Sequence, residues 1–414
     1  MAGNKITEAF EYKTDIITSY DGHEQRIQTR QHPRHLLTFD YPSMNAMEAQ
    51  WLRGLTRMKQ SVIKYIPMWH NVFYLTEDYK YNPNETDIRL YIEPSALYDL
   101  MDCEAIEIFN KDDPRQEQNI VKVIHSFGKD SIRLKNPILV DLDKRNTFIY
   151  PLRKCSIQPM SGLQYIYSNG SNVSLSFEDL IEKSSLNMPS SIYVDEESEF
   201  RNKWNLPLSC DTREIFLFMP QWVEDSSVEL SVEKAVNRLD TETGMFWYDL
   251  KNNKSYDVMT FNITLMNKAE IHNMIRFFKR MKGMARSFYV PTWVNDIELC
   301  EDIKQGKNFI YTNFNKLKTL YANNGRFKKL VIFTKDWQSY IVDVIAYLTE
   351  TRTSENKQYG KIMLGRTIRQ TIPYDNILMC SYLDIVRFDS DNLQLNYETN
   401  NVANVTLTMR EVDE

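Results

Sequence analysis

Residues 36–59, LLTFDYPSMNAMEAQWLRGLTRMK, and residues 258–282, VMTFNITLMNKAEIHNMIRFFKRMK, carry one design written twice. In each, Thr-Phe (Thr38-Phe39, Thr260-Phe261) precedes Asn-x-x-Glu (Asn45 to Glu48, Asn267 to Glu270), and Met-Lys (Met58-Lys59, Met281-Lys282) closes the stretch. An asparagine can cap the first free amides of a helix while a glutamate three residues on reaches back, so both stretches predict a helix start. Ala49, Leu52, Leu55 and Met58 in the first, and Ile271, Met274, Ile275, Phe278 and Met281 in the second, recur at helical spacing. Gly283 then ends the second helix. One amphipathic helix per copy must lie on something apolar.

Working outward, further pairs follow in one order. Gly22 matches Gly244, Pro67-x-Trp69 matches Pro291-x-Trp293, and Ile108-Phe109-x-Lys111-Asp112 matches Ile332-Phe333-x-Lys335-Asp336. Val121-x-Val123-Ile124 is set against Val342-x-Val344-Ile345, Gly128-Lys129 against Gly360-Lys361, and Cys155-Ser156 against Cys380-Ser381. Leu163-Gln164-x-x-Tyr167 matches Leu393-Gln394-x-x-Tyr397, and Val173-Ser-Leu-Ser-Phe177 matches Val405-Thr-Leu-Thr-Met409. The separation starts at 222 (260 − 38) and drifts as loop insertions would make it drift, while the order never inverts. A tandem duplication is the expectation. The first module covers 1–180 and the second 212–414, with a proline-, serine- and acid-rich connector at 181–211.

Outside the helices the pattern alternates with a period of two, as in Lys329–Phe333, Tyr340–Ile345 and Asn404–Met409. The expected fold is mainly β (α+β). Each module is an antiparallel β-sandwich or partly closed barrel with one packed amphipathic helix.

Composition narrows the function. A chain of 414 residues exceeds one ordinary core, and its 42% hydrophobic content suffices for two. The net charge of −6, with both signs interspersed, gives no basic footprint for nucleic acid. No stretch approaches the roughly 18–20 apolar residues that span a membrane, and the first twenty residues hold no continuous apolar segment. Synthesis in a cytosol is expected. Five cysteines without a C-x-x-C pair indicate neither a disulfide framework nor a zinc ribbon.

Candidate chemistry is sparse. His32-x-x-His35 has ligand spacing, but Pro33 between them opposes the helix that would align them, so this is expected to be a polar loop with no metal. No nucleophile elbow, phosphate loop, zinc-protease helix or kinase signature occurs, and acids such as Asp141, Asp143, Glu196 and Glu199 single out no catalytic pair. No catalytic, cofactor or metal site is expected. The basic and aromatic run Arg276–Arg286 reads as the end of a helix, its cations at the negative pole. Tryptophan follows proline at Pro67-Met-Trp69, Pro220-Gln-Trp222 and Pro291-Thr-Trp293. These six residues are the candidate packing and interface set, the proline ending a strand and the ring covering a core or a seam between subunits.

The run Tyr20-Asp-Gly-His-Glu-Gln-Arg-Ile-Gln-Thr-Arg30 through Pro33-Arg34, then Leu37-Thr-Phe39, the capped helix and Pro67-Met-Trp69, resembles the opening of bacteriophage distal tail and tail-tip proteins. The ending Val405-Thr-Leu-Thr-Met-Arg-Glu411 resembles theirs too, while Gly244-Met-Phe-Trp-Tyr248 departs from the G-x-E-Q-R pattern. The resemblance implies a non-catalytic virion component. It would form a threefold or sixfold ring with copies of itself, joining tube protein to the hub, tape-measure and fibre proteins around a DNA channel. Rival expectations are a carbohydrate-binding receptor adhesin using the tryptophans and a tail-associated cell-wall hydrolase.

Overall fold

The computed structural model describes residues 5–44, 46–57, 63–83, 88–93, 100, 103–110, 120–128, 130–158, 162–167, 170–180, 205–222, 228–240, 242–321, 327–352 and 357–413. The fold is mainly β, antiparallel and sandwich-like. Alternation sets the faces: along Val402–Glu411, Ala403, Val405, Leu407 and Met409 all point into the core. Burying each of the larger ones contributes about 1.5–3 kcal/mol. No helix among the described residues is long and apolar enough to cross a membrane.

One sheet runs through both halves of the chain. Its strands lie in the order Gly162–Tyr167, Gly170–Asp179, Arg34–Met44, Lys5–Glu11, Asn392–Thr399, Val402–Glu411, Phe246–Leu265 and Glu229–Asp240. The first four belong to the N-terminal lobe and the last four to the C-terminal lobe. They join where Lys5–Glu11 pairs with Asn392–Thr399, with Glu8 opposite Leu395 and Phe10 opposite Leu393. At either end, Gly162–Tyr167 and Glu229–Asp240 each have a single ladder partner among the described residues.

Each lobe adds a second layer built around one long strand, Thr147–Ile157 or Ile377–Phe388, which turns the corner onto the shared sheet. The pairings recur from lobe to lobe. Phe39 faces Leu175 as Phe261 faces Leu407, Pro67 faces Leu152 as Pro291 faces Leu383, and Ile108 faces Ile149 as Ile332 faces Cys380. Hydrogen bonds outside the ladders follow suit: Asp78 Oδ1 accepts from Lys144 N at 3.0 Å, and Asp302 Oδ1 accepts from Tyr374 N at 2.8 Å. The hairpins also agree, Thr14 facing Gln28 as Val236 faces Leu250, and Thr18 facing Glu24 as Asp240 faces Phe246.

Four of the letter matches do not keep this register. Leu163 corresponds to Leu395 and not to Leu393, since Leu163 faces Val173 as Leu395 faces Val405. Cys380 occupies the place of Ile149, and the place of Cys155 belongs to Val386, since Cys155 faces Asp179 as Val386 faces Glu411. Val121 corresponds to Ile341, because their partners Glu107 and Val331 correspond. Gly360 lies within the strand Lys357–Leu364, whereas Gly128 sits at the turn before Ser131–Leu134, because the second hairpin is longer.

The helices differ. Helix α2 (Lys268–Met281) buries Ile271, Met274, Ile275, Phe277, Phe278 and Met281. Asn267 Oδ1 accepts from Glu270 N at 2.8 Å, and Glu270 reaches back one residue beyond the cap, accepting from Met266 N at 2.7 Å. The helix stops as Lys282 and Gly283 both turn left-handed, at φ 56° and 64°. A Cβ on Gly283 would fall 2.3 Å from Asp391 Oδ1, so the backbone approach needs glycine there. Helix α1 (Ala46–Arg57) exposes Met47 and Trp51. Asn45, Met58 and the side chains of Ala49, Leu52 and Leu55 lie outside the described residues. A short helix α3 (Leu317–Tyr321) is an addition in the C-terminal lobe.

Of the connector, 181–204 lies outside the described residues. Leu206, and beyond it Ile215, Phe216 and Phe218, enter the core of the C-terminal lobe, where Phe216 meets Phe277 edge-on at 5.4 Å.

Candidate functional site

The lobes meet at strand Lys5–Glu11, and ionisable groups converge there. Residues 8, 10 and 12 alternate inward, so Glu8, Phe10 and Tyr12 are all buried. Glu8 accepts a hydrogen bond from Tyr397 Oη at 2.7 Å and meets His35 Nε2 at 2.6 Å. His35 Nδ1 lies 3.0 Å from Asp179 Oδ2, which accepts from Arg153 Nη1 at 2.7 Å. The chain Tyr397–Glu8–His35–Asp179–Arg153 thus runs from the C-terminal lobe through the bridging strand into the N-terminal lobe. Phe10 stacks on His35 at 4.6 Å. His70 packs on Tyr397 at 4.4 Å, its Nε2 3.6 Å from Glu8 Oε2 and beyond hydrogen-bond reach.

A buried carboxylate is costly unless fully engaged. Burial pushes the Glu8 carboxyl up, but the His35 hydrogen bond and the two imidazoles outweigh it and hold Glu8 well below the usual range. Asp179 behaves likewise: burial raises it, and the His35 and Arg153 partners bring it below its ordinary value. Carboxylates engage both ring nitrogens of His35 and an aromatic ring covers its face, so the cluster is built to clamp strands together. Among the described residues, no three His, Cys, Asp or Glu converge as metal ligands would.

A second set of contacts seats the hairpin Thr14–Thr18/Glu24–Gln28 on the C-terminal lobe. Buried Arg387 makes a two-pronged pair with Glu24, Nε and Nη2 donating at 2.8 and 3.0 Å, and Nη1 donates to Asp389 at 2.8 Å. Tyr256 Oη donates to Gly22 O at 3.0 Å, and Asp391 accepts from Thr14 Oγ1 and Met284 N, both at 2.9 Å.

The structure spreads the tryptophan and proline set. Pro67 and Pro291 end the strands Lys64–Pro67 and Phe288–Pro291. Trp293 is 1% exposed, stacked on Phe333 at 5.3 Å, with a left-handed φ of 59° that a bulky residue adopts only when packing compels it. Trp69 is half-buried, edge-on to Tyr150 at 5.0 Å. Pro220 is buried and Trp222 is exposed, with no strand at either. The three tryptophans therefore form no common surface.

The expected polar loop at His32–His35 is a correction. His32 is exposed, whereas His35 belongs to the strand Arg34–Met44 and to the clamp. The signal was present: His35, Leu37 and Phe39 alternate onto one face, and the latter two are 0% exposed. In the basic run, Phe277, Phe278 and Met281 are buried, while Arg280 pairs with Glu214 at 2.9 Å. Asp141 ties two segments together, accepting from Tyr81 N, and Asp143 holds a local turn, accepting from Arg145 N. Glu196 and Glu199 lie outside the described residues. Compared with models of known families and with curated proteins, the chain matches none.

Proposed function

We propose that this chain is a structural, ring-forming subunit of a bacteriophage tail tip, built by tandem duplication of one β-module and carrying no catalytic centre. The observation that supports it is the shared sheet: one four-strand arrangement occurs twice, a strand of the N-terminal lobe pairs with the C-terminal lobe, and the sheet ends in two edges with one ladder partner each among the described residues. Strand edges of this kind must be covered, and repeated contacts between copies cover them. In this reading the ring joins tube protein to hub, tape-measure and fibre proteins, and an acidic chain suits a channel that DNA passes without sticking.

Purified protein examined by mass measurement and negative-stain microscopy should give closed rings, and the chain should be found in the tail fraction of disrupted virions. A monomer at all concentrations and its absence from virions overturn the reading. For the adhesin reading, glycan-array binding lost on replacing Trp69 and Trp293 would be required, and the near-complete burial of Trp293 opposes it.

A further inference from the structure

The two ends of the eight-strand sheet are the separated halves of a contact that the chain already makes with itself. In the register set by the hairpins, Lys5–Glu11 corresponds to 227–233, since Thr7 faces Thr38 as Glu229 faces Thr260. In the register of the C-terminal ladders, Leu163-Gln164-Tyr165 corresponds to Leu395-Asn396-Tyr397, since Leu163 faces Val173 as Leu395 faces Val405. The inner junction pairs Lys5–Glu11 with Asn392–Thr399, and both of their counterparts end the sheet.

Strand 229–234 has the sequence of a covered strand. Leu230 and Val232 stand where Glu8 and Phe10 stand in the bridging strand. Glu8 and Phe10 are 5% and 4% exposed, but Leu230 and Val232 are 63% and 58% exposed. An apolar face at period two on a strand edge is a pairing site, and an aggregation hazard if left bare. The tip carries the same message. Glu24 and its partner Arg387 correspond to Phe246 and Ser156, so both members of the inner ion pair are replaced together, charge for apolar ring and guanidinium for hydroxyl. Trp247 and Tyr248 beside Phe246 are exposed as well.

We infer that the occupant is a second copy of this chain: strand 228–233 of one copy adds antiparallel to strand 162–167 of the next, in the register of the inner junction. Leu230 then faces Leu163 as Glu8 faces Leu395, and Val228 faces Tyr165 as Ile6 faces Tyr397. The contact is head-to-tail, so it generates a ring where the rotation closes and a filament where it does not. It continues the sheet in four-strand units, twice as many units as chains. It would also place a neighbouring strand over α1, where Tyr12 covers α2 through Phe278 at 5.8 Å. The inference rests on the premise of the proposed function that copies associate, and adds which edges meet and in what register.

The test uses the full chain with two paired substitutions, Leu230→Cys with Leu163→Cys, and the one-residue slip Leu230→Cys with Gln164→Cys, under mild oxidation. Disulfide-linked oligomers are expected from the first and not from the second. The double variant Leu230→Asp/Val232→Asp, altered only at exposed positions, should keep its circular dichroism and lose the oligomer. Oligomers that form without the in-register disulfide overturn the pairing and leave the ring reading standing. In-register disulfides in open polymers uphold the pairing and overturn the ring. Absence of any association overturns both.

Discussion

Trp293 and Trp69 close the same Pro-x-Trp sequence after the strands Phe288–Pro291 and Lys64–Pro67, yet one is sealed in the core and the other is half-exposed. The difference lies in what surrounds them. The C-terminal lobe receives Phe10 and Tyr12 from the bridging strand and Phe216 and Phe218 from the segment before it, and these merge with α2 into one continuous core. In the N-terminal lobe, among the described residues, the corresponding cluster is formed by Leu37, Phe39, Met68, Cys155, Val173, Leu175 and Phe177. Corresponding ladder positions are thus buried differently, because burial depends on segments contributed from outside the ladders.

The comparison breaks most visibly at the tryptophans. Trp293→Ala is expected to cost about 3–5 kcal/mol, and Trp69→Ala about 1–2 kcal/mol, in urea unfolding followed by fluorescence and circular dichroism. Equal losses would mean that the lobes are equally packed. Glu8→Ala should cost about 3 kcal/mol, since it leaves His35 and Tyr397 facing a buried void, and its loss should appear in both lobes together because Glu8 ties them. Unfolding of one lobe alone, monitored by hydrogen exchange, would contradict the clamp.

Acid should act through the same cluster. Glu8 and Asp179 sit below their ordinary values of 4.5 and 3.8 in the folded chain, so the unfolded chain takes up protons first as pH falls. Their contribution is complete above about pH 5–6 and declines as pH drops through those values toward the folded ones, at up to about 1.4 kcal/mol per pH unit for each group. The midpoint in urea should fall accordingly, and less steeply in Glu8→Gln. Smallest is the cap: Asn267→Ala should cost about 1 kcal/mol, read as a lowered thermal midpoint, and Asn267→Gly less.

Much of the fold was legible before any coordinates. Alternation named the strands around Lys329–Thr334 and Val402–Glu411, and Asn267 with Glu270 placed the start of α2 to the residue. The clamp was less so. His35 was hidden by Pro33 and His32, although its alternation with Leu37 and Phe39 marked it as inward-facing; Glu8 carried the same signature with Phe10 and Tyr12.

What the sequence determined by itself is which residues alternate and where a helix is capped. Only the tertiary structure decided the register and the partner. A period of two fixes a strand's faces but not its offset, so matching Cys155 to Cys380 instead of Val386, an even slip of six, preserves every face. Nor does alternation say whose sheet a strand joins: Lys5–Glu11 pairs with Arg34–Met44 on one side and with residues nearly four hundred positions away on the other, because backbone edges bond to whichever strand the packing of the lobes brings alongside.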